Sequence, residues 1–122
     1  MSGRIRQCSN CKIILSHAGG TLPYLVEGLE RLCTDFFQSS GVKGGPLGQQ
    51  IMDDAKSFYF DTALAGTANV LDALLKWAPK NRILFRSDFP YAPDSTIEYF
   101  TDSLEKYPIN VRTGKTSTGK MP

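Results

Sequence analysis

Three short stretches rich in apolar residues divide the chain into similar units. They lie at residues 12–16, 57–63 and 82–85, and each is followed by a segment with helical spacing. Stretches this short and this apolar are typical of strands buried on both faces of a sheet. The pattern predicts three strands joined by helical crossovers, and such connections require the strands to be parallel.

Each predicted strand leads into a helix in which hydrophobic residues recur at i, i+3, i+4 and i+7. The first helix follows Thr21 as its N-cap, and the second follows Thr67 and ends at Pro79. The third begins with the capping box Ser95-x-x-Glu98. Their apolar faces consist of Leu22, Leu25, Val26, Leu29, Leu32, Cys33 and Phe36 in the first helix, Val70, Leu71, Leu74, Leu75 and Ala78 in the second, and Ile97, Phe100, Leu104 and Tyr107 in the third.

The remaining segments lack this periodicity. Residues 1–10 predict a loose N-terminus, and the polar residues 108–122 predict a disordered tail. The glycine-rich residues 42–50 predict a flexible loop, and residues 51–56 a helical turn. One α/β unit is therefore expected over residues 11–107. Three parallel strands alone would expose two apolar edges, so we expect this sheet to be part of a larger one.

Composition narrows the class of protein. With 122 residues there is room for one domain, and a net charge of +2 with scattered basic residues argues against nucleic-acid binding. No apolar run approaches the ~18 residues of a membrane span. The first residues lack the apolar centre of a signal peptide, so a cytoplasmic protein is expected, without nucleic acid or membrane as partner.

The three cysteines are expected to be reduced thiols, because their number is odd and no export signal is recognised. Cys8-x-x-Cys11 has the spacing of a zinc or redox motif. A structural zinc site needs a second ligand pair at short spacing, and the sequence has none. A thioredoxin-like pair opens a helix, whereas this pair precedes a predicted strand. We therefore interpret both cysteines as incidental.

Polar residues at the ends of the predicted strands are the candidates for chemistry. His17, the single histidine, precedes two glycines and could transfer a proton near neutral pH; alternatively, its ring only bonds neighbouring backbone. Asp88 follows a buried strand, where a carboxylate needs a cation, a metal or a role as N-cap. Asp61 ends the middle strand, and a hydrogen bond that orients a loop is the favoured interpretation there.

Three motifs together carry a family resemblance. SHAGGTLPY (residues 16–24), FYFDTAL (58–64) and ILF-x-SDFPYAP (83–93) resemble, in order and spacing, the closing third of the amidohydrolase-related decarboxylases. That family includes aminocarboxymuconate-semialdehyde decarboxylase and the fungal hydroxybenzoate decarboxylases. The resemblance covers residues 10–105. It implies an α/β fold, a partial (β/α)8 TIM barrel, in which the three units resemble strands six to eight.

The resemblance also implies a reaction and a site. The reaction is metal-dependent, non-oxidative decarboxylation of a small hydroxylated aromatic acid such as 6-methylsalicylate. It implies His17 as the catalytic acid/base, Asp88 as a ligand of a divalent metal, zinc first and manganese second, and Arg31 as a substrate-binding residue. Arg31 would replace a family arginine whose position is Gly28 here. Arg86 stands where the family motif has glycine.

The sequence leaves alternatives open, because a catalytic zinc site commonly takes three protein ligands and this chain has one histidine. The remaining metal ligands of the family are absent, so we expect an incomplete enzyme that is inactive by itself. One alternative is a non-catalytic remnant that forms a homo-oligomer or associates with a full-length homologue by strand addition. Another is a metal-dependent hydrolase of the same superfamily.

Overall fold

The computed structural model describes residues 4–41 and 48–108. Within those residues the chain forms one sheet of three parallel strands in the order β1-β2-β3. The strands are β1 (Ile14–Leu15), β2 (Tyr59–Asp61) and β3 (Ile83–Leu84). The predicted strands and their parallel pairing are confirmed, and each strand is shorter than its apolar stretch.

Helices follow each strand, as predicted. The helices of the described residues are α1 (Arg4–Gln7), α2 (Leu22–Ser40), α3 (Gly48–Ser57), α4 (Ala68–Leu75) and α5 (Asp94–Lys106), with single 3-10 turns at His17–Gly19 and Lys80–Arg82. The connection from β1 to β2 contains both α2 and α3, and α4 lies between β2 and β3. α5 follows β3 and completes the third strand–helix unit.

Phe60, in the middle of β2, is the centre of the main hydrophobic cluster. It is fully buried together with Ala18 and Leu74, and the Trp77 ring meets it edge-on at 5.4 Å between centroids. Its backbone pairs with Leu15 of β1. Burial of an apolar side chain of this size contributes about 2–3 kcal/mol to the free energy of unfolding. The core therefore fixes the sheet against the loop that follows β1.

A second cluster joins α2 to α3 through Val26, Met52 and Ala55. The two helices approach closely at Gly48, where a Cβ atom would lie only 2.7 Å from the backbone oxygen of Glu30. A side chain at position 48 would therefore collide with backbone that cannot easily move. The sequence predicted only a helical turn over residues 51–56, whereas α3 is a ten-residue helix with its own buried face.

The start of α5 differs from its predicted start. The capping box of Ser95 and Glu98 was expected to open this helix, but the helix begins at Asp94 with Pro93 as its N-cap. The amides of Thr96 and Ile97 donate to the Pro93 carbonyl. The prediction was wrong because proline already supplies the extended N-cap conformation two residues before Ser95. Thr21 and Thr67 are the N-caps of α2 and α4, although neither side chain makes a capping hydrogen bond.

The predicted loose N-terminus contains the helical turn α1, in which the Arg6 guanidinium donates to the Asp54 carboxylate at 2.9 Å and to the Gln50 carbonyl at 3.1 Å. Of the predicted glycine-rich loop, residues 42–47 lie outside the described residues, and residues 48–50 belong to α3. All but the first residue of the predicted tail, residues 109–122, is likewise outside the described part.

Both outer strands leave apolar side chains exposed. Ile14 of β1 is 51% exposed, and Phe85, just after β3, is 44% exposed. This agrees with the expectation that the sheet is part of a larger one. Across residues 4–41 and 48–108, we find no helix with the length and apolar character needed to span a membrane.

Candidate active site

The carboxyl ends of the three parallel strands lie at one edge of the sheet. His17 follows β1, Asp61 is the last residue of β2, and Arg86 and Asp88 follow β3. In parallel α/β folds this edge is where loops present catalytic and binding groups, because the strands there give way to turns that a substrate can reach. The candidate residues from three separate parts of the sequence are thus brought to one edge.

His17 lies in a turn of unusual backbone conformation. His17 and Ala18 have positive φ angles of 55° and 56°, and Gly19 follows with 80°. Residues with a Cβ atom rarely adopt this left-handed region, at a cost of about 1–2 kcal/mol each. At Gly19 an added Cβ atom would also crowd the Phe60 ring, at 3.1 Å from its edge. The turn is held because Ala18 is completely buried in the core.

The Asp61 carboxylate fixes the backbone of the His17 turn through hydrogen bonds. Its Oδ1 atom accepts hydrogen bonds from the backbone amides of His17, at 2.9 Å, and Ala63, at 3.2 Å. The residue is only 1% exposed. A buried carboxylate needs such donors. The two bonds therefore satisfy the hydrogen-bonding capacity of Asp61 and orient the loops that follow β1 and β2. The sequence-based interpretation of Asp61 as a loop-orienting residue agrees with these contacts.

The imidazole ring of His17 is oriented by the neighbouring strand loop. Its Nδ1 atom lies 2.7 Å from the carbonyl oxygen of Ala63. A carbonyl oxygen can only accept, so Nδ1 carries the proton and donates it. Nε2 then holds the lone pair of the neutral ring and is the atom able to take up or deliver a proton. The alternative that the His17 ring only bonds backbone therefore describes Nδ1 alone. Nε2 makes no such bond among the described residues and could exchange a proton with a substrate.

Arg86 pairs with Asp61 across the edge. Its NH1 atom lies 3.4 Å from Asp61 Oδ2, and its backbone amide donates to the Thr62 hydroxyl oxygen at 3.2 Å. The Arg86 side chain is 59% exposed while that of Asp61 is 2% exposed. The guanidinium is therefore a cation at the surface of the site, held by one long ion pair with most of its donors open to solvent.

Asp88 occupies a second left-handed position, with φ at 67°. Its backbone carbonyl accepts hydrogen bonds from the amides of Tyr91, at 2.8 Å, and Ala92, at 3.1 Å, so the backbone rather than the carboxylate closes the next turn. The side chain is half-buried. In the described part of the chain its carboxylate has no hydrogen-bond or ion-pair partner, His17 included.

Arg31 makes no described hydrogen bond or ion pair with His17, Asp61 or Asp88. It is on α2, its side chain is 79% exposed, and its guanidinium donates to Asp35 at 3.0 Å, one helical turn further on. An exposed pair at this spacing contributes a few tenths of a kcal/mol. The structure joins Arg86, and not Arg31, to the network of Asp61 and His17.

The described residues do not fit a complete metal site. Over residues 4–41 and 48–108, no three side chains of His, Cys, Asp or Glu are placed to hold one ion. Asp88 offers one carboxylate, whereas a catalytic zinc ion commonly takes three protein ligands. Cys8 and Cys11 cannot complete the set, because they precede β1 and lie at the opposite end of the strands.

Sequence reasoning missed the ion pair of Arg86 with Asp61. The two residues are 25 positions apart, and only the register of β2 with β3 brings them together. In the sequence, Arg86 stands out only as the residue that replaces a family glycine two positions before Asp88. A signal was nevertheless present, since a carboxylate at the end of a buried strand requires a donor or cation from a neighbouring strand.

Comparison with known proteins identifies the family to which this chain is similar. The family model described as amidohydrolase matches residues 1–109. The 6-methylsalicylic acid decarboxylase of Penicillium expansum is 40% identical over 108 residues, covering 88% of this chain and 32% of the relative. The 6-methylsalicylic acid decarboxylase of Aspergillus aculeatus is 43% identical over 108 residues, covering 86% of this chain and 32% of the relative.

A solved structure shows the same fold. The dihydroxybenzoic acid decarboxylase of Polaromonas, crystallised with manganese and the inhibitor 2-nitroresorcinol, superposes with a TM-score of 0.64 at 22% identity. The superposition covers 88% of this chain and 32% of that protein. The chain thus spans about a third of the length of the proteins that it matches. With three parallel strand–helix units forming part of a TIM barrel and a family match over most of its residues, the chain belongs to the amidohydrolase family.

Proposed function

We propose that this chain contributes the His17 and Asp88 edge of an active site for non-oxidative decarboxylation of a hydroxylated aromatic acid, with 6-methylsalicylate as the first substrate to test. The observation that carries the proposal is the orientation of His17 within a chain 40–43% identical to 6-methylsalicylic acid decarboxylases. A histidine whose Nδ1 proton is fixed presents Nε2 at the edge where barrel enzymes bind substrates.

His17 would act as the acid in this reaction. Loss of carbon dioxide breaks the bond between the ring carbon and the carboxylate, and a proton must replace the carboxylate on that carbon. Protonated His17 delivers this proton from Nε2 while Nδ1 keeps its hydrogen bond to Ala63. General acid catalysis of this kind contributes about 10²–10⁴-fold to the rate. The turn held by Asp61 fixes where the proton is delivered.

Two arginines are candidates for the substrate carboxylate. Arg86 is supported by its place beside Asp61, with most of its guanidinium open to solvent. Arg31 remains a proposal based on family resemblance, and its guanidinium is engaged with Asp35. A guanidinium binds a carboxylate through two parallel hydrogen bonds, which Arg86 can offer without leaving the edge of the sheet.

A divalent metal is part of the proposal, with Asp88 as one ligand. The manganese bound by the Polaromonas decarboxylase supports a divalent ion, and zinc is the other candidate. Further ligands must come from outside the described residues, since these hold no three-ligand group. We therefore expect a complete site only when this chain is joined to, or assembled with, residues that supply those ligands.

The decisive experiment replaces the matching third of the Penicillium expansum enzyme with this chain. We expect the chimera to release carbon dioxide and 3-methylphenol from 6-methylsalicylate. His17→Ala should lower the rate by about 10²–10⁴-fold, and Asp88→Asn should raise the concentration of added manganese or zinc needed for half-maximal rate. Glu27→Gln, at an exposed carboxylate of α2 away from these groups, is the matched control and should leave the rate unchanged. A folded chimera whose rate is insensitive to His17→Ala would contradict the assignment.

The isolated chain is measured in parallel with both metals. No carbon dioxide release is expected from it, because Asp88 alone does not make a metal site. Release that disappears in His17→Ala would show that the missing ligands are supplied by association of several chains. Reaction in ¹⁸O-water separates decarboxylation from hydrolysis, since only a hydrolase would place the label in its organic product.

A non-catalytic associating subunit is the second candidate, and the exposed apolar side chains favour it. Ile14, in β1, and Phe85, just after β3, are about half exposed. Edge strands with such side chains invite pairing with another chain. Sedimentation of the chain with a full-length relative tests this. Comigration that is lost in Ile14→Lys, but kept in Lys76→Gln, would support the associating subunit.

A further inference from the structure

A cavity lies at the amino ends of the strands, opposite the proposed active site. Its volume is about 380 Å³, and its lining includes Cys8, Cys11, Lys12, Asp54, Tyr59 and Arg82. The segment from α1 to β1 forms one wall, and the residues that begin β2 and precede β3 form the other. The proposed decarboxylase chemistry uses none of these residues.

Cys8 and Cys11 are the first and last residues of a tight turn in this wall. The Cys11 amide donates to the Cys8 carbonyl at 2.9 Å, which closes a four-residue turn between them. The first and fourth Cα atoms of such a turn lie within ~7 Å, and disulfides span Cα separations of ~4.4–6.8 Å. Both thiols are free and exposed. The backbone therefore already holds the two cysteines at a separation that a disulfide can bridge.

The cavity carries more cations than anions. Arg6, Lys12 and Arg82 line it against the single carboxylate of Asp54. Arg6 is paired with Asp54, and Arg82 donates to the Ser57 carbonyl at 2.9 Å while it stacks 4.6 Å above the Tyr59 ring. Lys12 makes no ion pair with any described residue and directly follows Cys11. An anionic reactant is therefore attracted to the place where the thiols are exposed.

We propose that Cys8 and Cys11 form a dithiol–disulfide couple that exchanges with small anionic disulfides, a function separate from the proposed decarboxylase. The thiolate of one cysteine attacks the small disulfide, which forms a mixed disulfide and releases one small thiol. The second cysteine, as its thiolate, attacks the protein sulfur of that bond, closes the Cys8–Cys11 disulfide and releases the other small thiol. The two electrons and two protons lost by the protein appear in the two small thiols.

The test is a redox titration of the 122-residue chain with reduced and oxidised glutathione, quenched with acid, alkylated and weighed by mass spectrometry. Oxidised protein is expected to keep one alkylatable thiol, Cys33, and to carry no glutathione. Cys33→Ser should still close the bond. Cys11→Ser should stop at a single glutathione adduct on Cys8. A wild-type chain that accumulates glutathione adducts, or that links Cys33 to another cysteine, would overturn the proposal.

A second comparison tests the role of the cavity charge. Lys12→Gln is expected to slow exchange with glutathione disulfide about threefold, as the loss of one nearby charge in water predicts, and to leave exchange with neutral hydroxyethyl disulfide unchanged. Lys76→Gln, an exposed lysine at the end of α4, is the matched control. Equal rates of Lys12→Gln and wild type with the anionic disulfide would refute attraction by the cavity.

Discussion

Replacing Asp61 by alanine is the most direct test of how the His17 turn is held. The substitution removes the acceptor of the His17 and Ala63 amides and the ion-pair partner of Arg86. The turn itself is strained, since His17 and Ala18 have positive φ angles. Without the carboxylate, nothing in the described contacts of β2 offers these two amides a replacement acceptor.

The expected loss can be estimated from burial. The Ala63 amide is buried, and leaving it without a partner costs about 1–3 kcal/mol. The His17 amide is partly buried and can recruit water, so its loss lies at the lower end of that range. The exposed Arg86 adds little, because a solvated guanidinium regains water. Asp61→Ala should therefore lower the free energy of unfolding by about 2–4 kcal/mol.

Asp61→Asn separates the acceptor from the charge. An amide oxygen can still accept from both backbone amides, so we expect a loss of only about 1 kcal/mol. The assay is urea unfolding followed by fluorescence of Trp77, the single tryptophan, which packs against Phe60. Asp35→Ala, a half-exposed carboxylate on α2, is the matched control. Asp61→Ala within 0.5 kcal/mol of wild type, a change about as small as an ordinary surface substitution, would refute the reasoning.

Two further substitutions test the packing between helices. Gly48→Ala should lower the free energy of unfolding by about 1–3 kcal/mol, because its Cβ would collide with Glu30. Gly28→Ala, on the open face of α2, should raise the free energy of unfolding by about 0.5–1 kcal/mol. Urea midpoints of the two variants that shift in the same direction would contradict this. The hydrogen bond from Tyr107 to Asp72, with burial and the Asp72 charge, raises the pKa of Tyr107. The neutral phenol thus adds stability below about pH 10, and this stability is lost as the pH rises through the raised pKa. Alkaline melting curves of wild type should fall toward those of Tyr107→Phe, and parallel curves would exclude this linkage.

The strands and long helices were predictable because their signals are local. The short apolar stretches at residues 12–16, 57–63 and 82–85 indicate strands, and the hydrophobic spacing after Thr21 and Thr67 indicates helices. The polar ends of the strands also identified His17, Asp61 and Asp88 as the residues at one edge, since parallel strands end together. These inferences needed only the period of the pattern and the direction of the strands.

The contacts that give the site its geometry were not predictable in the same way. The Nδ1 atom of His17 meets a carbonyl 46 residues away, and Arg86 meets a carboxylate 25 residues away. Such pairs depend on strand register and on left-handed backbone at His17 and Asp88, which sequence patterns do not report for residues other than glycine. The same limit explains why α1 was missed, because its contact of Arg6 with Asp54 joins segments far apart in sequence.

An active site of this family would combine an oriented histidine with a bound metal, and in this chain the two depend on different residues. The orientation of His17 depends on Asp61, Ala63 and the buried Ala18, all within the described residues, whereas Asp88 has no such set of neighbours for a metal. The proton on Nδ1 should therefore be present in this chain without any metal. Because the chain has one histidine, its ¹⁵N signals can be read without ambiguity. We expect the proton to be on Nδ1, to stay there when stoichiometric zinc is added, and to be shared between the two ring nitrogens in Asp61→Ala. A zinc-induced shift of the His17 signals in wild type would mean that the chain assembles a metal site by itself, and the ligand argument would fail.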